Sequence, residues 1–248
     1  MRKLLSLSAL GLASCSSADL RPEEWRSAGP PAAARQAGEE LLGKMRVAHG
    51  FSASAQASPQ VVRTVQVEDQ WQSTLLRWFT PLDSNTQSFS ASLSLAPAAA
   101  EIWLGERRLT WSLDSSASSV DGWDAVYADS VHRYFYFAGL SFSEPTAMPT
   151  AELLGERYAR IWVSYAEDEA VLWLNLTDHR LRWAEFTFRS ASTSYRGVLD
   201  FAAWSDDLPS SQLSGRSLPT MVVIRDGFED EAVHTLRFRL EPAELRSD

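Results

Sequence analysis

The chain has 248 residues, with 23 basic and 32 acidic side chains, a net charge of −9 and one cysteine. That acidity works against phosphate backbones and anionic head groups, so nucleic acid is not an expected partner. A single cysteine allows no disulfide framework, and stability must come from the apolar core that a chain of this length can bury.

At the N-terminus, Arg2 and Lys3 precede an apolar run from Leu4 to Leu12, too short to cross a bilayer. Leu12-Ala13-Ser14-Cys15 then resembles a lipobox, the cleavage and acylation signal of bacterial lipoproteins. The expectation is that residues 1–14 are a signal peptide and that Cys15 carries the lipid that holds the protein on a membrane. In Gram-negative lipoprotein families an aspartate after the cysteine resembles a signal for retention in the inner membrane, whereas Ser16 is compatible with export, so the expected location is the periplasmic face of the outer membrane. Residues 15–31 are rich in Ser, Ala, Pro and Gly and read as a flexible tether, interrupted by Trp25. Residues 32–248 read as one domain.

The next apolar residues, Ala34, Ala37, Leu41, Met45 and Ala48, recur at three- and four-residue spacing and predict an amphipathic helix stopped at His49-Gly50. After it the period changes to two. Phe89, Ala91, Leu93 and Leu95 alternate with serines, Leu109, Trp111 and Leu113 with polar residues, and Leu236, Phe238 and Leu240 with Thr235, Arg237 and Arg239. Similar runs at residues 61–67, 73–79, 157–165, 171–175, 181–188, 195–204 and 217–225 bring the expectation to about ten antiparallel strands. Gly105-Glu106 and Thr177-Asp178-His179 read as hairpin turns. Residues 121–140 break the series: Trp123, Val126, Tyr127, Val131, Tyr134, Phe135 and Ala138 fall at helical spacing and predict a second, largely buried helix. Strand 171–174, Val-Leu-Trp-Leu, is apolar on both sides and so needs cover on both. The predicted class is mainly β: a single curved antiparallel sheet, a half-barrel, with an N-terminal and a mid-chain helix over its concave face.

The order of these elements resembles the bacterial lipoprotein-localisation family (LolA, LolB and LppX-like proteins). The resemblance is carried by the Ala37-Gly38-Glu39-Glu40-Leu41-Leu42-Gly43-Lys44-Met45 helix. It is strongest from Leu154-Gly155-Glu156-Arg157 through Arg182-Trp183, and Leu218-Pro219-Thr220 in a late strand is similar too. It implies a half-barrel whose apolar concave face, lidded by helices, accepts acyl chains of lipids or lipoproteins.

The residues themselves point the same way. There are 10 Trp, 6 Tyr and 11 Phe, and most of the tryptophans fall on or beside predicted strands. Large aromatics line apolar sites well, though any one of them can equally be core. Phe89, Leu93, Trp111, Trp173 and Trp183 are the expected ligand-lining residues, on the concave face beneath the 121–140 helix. No metal-ligand spacing, nucleophile elbow or phosphate loop is present, so the reading is a binding protein without cofactor, metal or catalytic residues. The alternative is an anchored interaction protein of a cell-envelope complex, with a partner protein and a filled core.

Overall fold

A computed structural model describes residues 20–51, 63–72, 80–95, 97–113, 122–165, 168–189, 194–205 and 216–240. Cys15 and the run 73–79 lie outside these. Alternating residues form a single antiparallel sheet of eleven strands: β1 (Arg63–Trp71), β2 (Thr86–Leu95), β3 (Ala98–Leu104), β4 (Arg107–Ser112), β5 (Ser143–Leu153), β6 (Glu156–Tyr165), β7 (Asp168–Asn175), β8 (Leu181–Arg189), β9 (Ser194–Trp204), β10 (Pro219–Arg225) and β11 (Ala232–Leu240). The helices are α1 (Glu23–Ala28), α2 (Ala32–Ala48) and α3 (Gly122–Tyr136), the last continued by a 3₁₀ turn at Phe137–Gly139. Among the described residues no helix is long and apolar enough to cross a membrane.

The strand order, β4-β3-β2-β1-β11-β10-β9-β8-β7-β6-β5, explains why a helix interrupts the strands. β4 and β5 follow each other in sequence but form opposite edges of an open sheet. The connection has to travel from one edge to the other, and α3 is the part that crosses the concave face. Its buried residues Tyr127, Ala128, Val131, His132 and Phe135 pack there with Phe89, Leu93 and Phe238 in the main core. α2 covers the β5 side of the same face through Leu42 and Met45.

Two strands escape the alternation pattern. β3 opens with three alanines, a composition without strand character. β5 contains Pro145 and Pro149, tolerated because it is an edge strand and because its pairing with β6 is interrupted by two register shifts. The β5–β6 connection is a two-residue hairpin whose central residues, Leu154 and Gly155, both have positive φ (52° and 79°). Such a turn matches the sheet twist but strains a leucine.

Register decides which way each side chain points. Val67 pairs with Phe89 and with Phe238, all three inward; Glu68 pairs with Ser88 and Arg237, all outward. The outer surface of β2, β1 and β11 is therefore polar. The outer surface of β6 to β9 is not: Tyr158, Trp162, Val171, Trp173, Trp183 and Val198 form a second apolar cluster, separate from the core. Strand 171–174 thus has its expected cover on both sides.

The second cover corrects the tether. From Leu20 onward the chain is not a free linker: Leu20 and Trp25 are 8% and 9% exposed and sit in the outer cluster. α1 has six residues, too few to be stable in isolation, so its order comes from this docking. Residues 20–28 of the expected 15–31 tether are therefore held on the sheet.

Candidate functional site

The concave face and its lid are the candidate site. Three of the expected residues meet there under α3. Phe89 packs against Tyr127 with ring centroids 6.1 Å apart, the carbonyl of Leu93 accepts a hydrogen bond from the Tyr136 hydroxyl (3.0 Å), and half-buried Trp111 lies 4.9 Å from the His132 ring. The other two do not join them. Trp173 is directly opposite Trp183, while their neighbours Leu172 and Ala184 face the core, so both tryptophans point outward. The expectation of one concave site holding all five is corrected to three. Trp173 donates its indole N–H to Glu185 Oε1 (3.1 Å), and Phe228 packs on both rings.

The residues that fasten the lid were not among the expected ones. Asp69, on β1, is fully buried and accepts two hydrogen bonds through its carboxylate. One comes from the Tyr127 hydroxyl of α3 (2.5 Å to Oδ2) and one from His234 Nε2 of β11 (2.8 Å to Oδ1). A carboxylate oxygen only accepts, so His234 must carry its proton on Nε2. The His234 ring is stacked on Trp71 with centroids 3.9 Å apart. Burial and the neighbouring Asp69 push the Tyr127 hydroxyl well above its ordinary value, so it stays a donor. The alternation Val65, Val67, Asp69, Trp71 does put a carboxylate on an inward position. That is the sequence signal for this cluster, but not for its partners, which are 58 and 165 residues away.

Further anchors run along the helix. Arg133 binds Asp129 one turn back and Asp168 at the start of β7 (2.7 Å), and Arg107 binds Asp124 (2.5 Å). His132 is buried between Trp111 and Tyr136 and donates from Nε2 to the carbonyl of Ser94 (2.8 Å). Its Nδ1 is buried without a hydrogen-bond partner, so a second ring proton would have no acceptor. Desolvation accordingly holds its pKa down to about 4.

A pH dependence follows. Above about pH 6.5, the ordinary histidine value, the ring is neutral in both folded and unfolded chains and its contribution is complete. As pH falls from there toward 4, the unfolded chain takes up a proton that the fold refuses. Stability is lost over that window, in total about 3 kcal/mol. The denaturation midpoint of His132→Gln, which keeps a donor for Ser94 but does not titrate, is expected to fall less steeply between pH 6.5 and 4 than that of the parent. Parallel profiles would refute the assignment.

Beyond α3, between its C-terminal half and β6 to β8, a small apolar gap remains. It is lined by Tyr134, Phe137, Leu140, Phe142, Tyr165 and Phe186, with Arg133 and Asp168 at its rim, and has a volume of about 50 Å³. A wider trough of about 870 Å³ lies over β1 and β11, where Gln66, Glu68, Arg237 and Arg239 contribute from the polar outer surface. Among the described residues no group of three or more His, Cys, Asp or Glu is placed to hold a metal ion.

No family model matches the chain, and no curated protein matches it either. Solved structures do. A LolA superfamily protein from Nitrosomonas europaea aligns over 82% of this chain and 91% of its own, at 14% identity and a TM-score of 0.42. A DUF1329 family protein from Desulfovibrio piger aligns over 87% and 95%, at 9% identity and a TM-score of 0.48. A domain assigned to outer membrane lipoprotein sorting, from Vibrio parahaemolyticus, aligns over 84% and 94%, at 9% identity and a TM-score of 0.45. It is to these proteins that the open, helix-lidded sheet described above is similar.

Proposed function

We propose that this is an envelope protein, anchored through an acylated Cys15 on the periplasmic face of the outer membrane, whose concave face takes up an acyl chain of a lipid or lipoprotein. The observation that carries the reading is the lid. α3 crosses the part of the apolar concavity that α2 leaves uncovered and is tied to it by side chains, at Asp69, Leu93, Ser94 and Asp168, whereas the strands are tied to one another by backbone ladders. Lifting α3 exposes Phe89, Leu93 and Trp111 together, with the apolar gap beside Phe142 and Tyr165 as the place where separation begins. Each buried CH₂ contributes about 0.8 kcal/mol, so a ten-carbon chain offsets several lid contacts and its own ordering. The role is binding, with no reacting bond assigned.

The small closed volume favours a second reading, an interaction scaffold whose core is simply filled. Tryptophan quenching separates the two. The chain from Ser16 on, mixed with a brominated fatty acid, is expected to lose fluorescence, and Trp111→Phe to remove much of that loss, while Trp173→Phe, altered on the outer face, leaves it. Native mass spectrometry should find lipid bound. Apo masses only, with no quenching across fatty acids and phospholipids, would leave the scaffold.

A further inference from the structure

We infer that residues 20–28 are a clasp that turns the outer face of β6 to β8 toward the lipid surface. The inference rests on the acylation of Cys15 proposed above and adds an orientation to it.

Two contacts of the clasp converge on one carboxylate. Glu169 projects from the outer side of β7 and is 7% exposed. Its Oε2 accepts from the backbone N–H of Leu20 (3.0 Å) and from the indole of Trp162 (3.4 Å), and Arg21 lies 3.9 Å from its Oε1. The guanidinium of Arg21 sits over the Trp162 ring, 5.8 Å from its centroid. Trp25 then buries itself in the same cluster, one short helix further on. Only half of the outer surface is apolar, and it is that half the segment covers. The half made by β2, β1 and β11 presents Ser88, Gln66, Glu68 and Arg237.

The chain length between anchor and clasp sets the geometry. Five peptide units separate Cys15 from Leu20, and fully extended they reach at most about 18 Å. A free tether of sixteen residues, with an r.m.s. reach of roughly 20–25 Å, would leave the domain free to tumble. The clasp shortens that leash and, more importantly, decides from which face it leaves. With the acyl chains in the bilayer, the outer face lies nearest the head groups and α3 lies on the far side of the sheet, its lid facing the aqueous compartment. Arg160 and Arg182, each stacked on an outer tryptophan (5.1 and 4.6 Å), are side chains suited to that interface.

The test uses the full acylated chain in vesicles carrying a rhodamine-labelled phosphatidylethanolamine. Acylation blocks Cys15, the only native cysteine, so a thiol introduced by Ser27→Cys (clasp) or Val126→Cys (solvent side of α3) takes the donor dye alone. Energy transfer from position 27 is expected to be at least twice that from position 126. Leu20→Ser with Trp25→Ala, or twelve Gly/Ser residues inserted after Ser17, should bring the two signals together. Equal transfer in the unaltered chain, unchanged by the insertion, overturns the orientation. If the wild type incorporates no palmitate and behaves as Cys15→Ser does in membrane fractionation, the anchor fails and the orientation with it. The clasp is read separately by trypsin: cleavage after Arg26, which precedes Ser27, should be slow in the parent and fast in the Leu20/Trp25 double variant. Fast cleavage in the parent rejects the clasp whatever the state of Cys15.

Discussion

Asp69→Ala is expected to lower the unfolding midpoint by on the order of 10 °C, because it breaks the point where lid and sheet are joined. Removing one member of a buried charged cluster typically costs 3–5 kcal/mol, since its partners remain buried with nothing to bind. Here those partners are the Tyr127 hydroxyl on α3 and His234 Nε2 on β11. In a chain of this size 1 kcal/mol moves the midpoint by roughly 2–4 °C. Tyr127→Phe deletes one hydrogen bond and one hydroxyl, and should cost about 1–2 kcal/mol. The double variant separates coupling from simple addition: its loss should be less than the sum, because Asp69 and Tyr127 are lost as a pair. Thermal or urea unfolding followed by near-ultraviolet circular dichroism measures all three. Additive losses, or an Asp69→Ala protein as stable as its parent, would show that the cluster does not fasten the lid. If the acyl-chain reading holds, Tyr127→Phe should also speed uptake of the brominated fatty acid.

The second large effect is expected at Gly38. This residue sits on the face of α2 that lies on β5. A Cβ there would stand 2.5 Å from the Pro145 carbonyl carbon and 2.6 Å from the Thr146 nitrogen. Both are backbone atoms that cannot swing aside, so Gly38→Val must push α2 off the edge strand and pull Leu42 and Met45 from the core. Overpacking of this kind costs about 1–3 kcal/mol, and lost burial of the two apolar side chains adds to it. Gly43, on the same helix, has open space around its missing Cβ. Gly43→Ala should therefore be neutral or stabilising by up to about 1 kcal/mol, through helix propensity alone. Opposite signs for two glycines five residues apart are the expected result of urea denaturation. Equal effects would mean that α2 is not seated on β5 as described.

Both predictions rest on contacts between segments far apart in sequence, and the same distinction separates what was legible in the chain from what was not. Two helices and most strands could be read directly, because periods of 3.6 and 2 are written into neighbouring residues: α2 and α3 fall where Leu41/Met45 and Val131/Phe135 recur, and β2 where Phe89, Ala91 and Leu93 alternate with serine. The need for cover on both sides of Val171–Leu174 was legible for the same reason. What lay outside local pattern was missed. β5, with two prolines, is a strand only because β6 lies beside it and its other edge is free.

The site divides along the same line. That Phe89, Leu93 and Trp111 are inward was determined by the sequence itself, since each alternates with polar neighbours on a strand that is wet on its other side. Trp173 carries no such label: its strand is apolar on both sides, and only pairing with β6 and β8 sends Leu172 inward and the tryptophan out. Trp183 was legible as outward, because Ala184 and Phe186 alternate with Glu185 and Thr187 and leave the tryptophan with the polar set. Asp69 looked like one acidic residue among 32, and became the catch of a lid when folding brought Tyr127 and His234 to it. Leu20 and Trp25 looked like stray apolar residues in a polar linker because their partners, Trp162, Glu169 and Trp183, come 130 residues or more later. Periodicity is a property of neighbours in the chain, so it reveals elements; a binding face, a catch and a clasp are properties of neighbours in space, and those the tertiary structure alone decided.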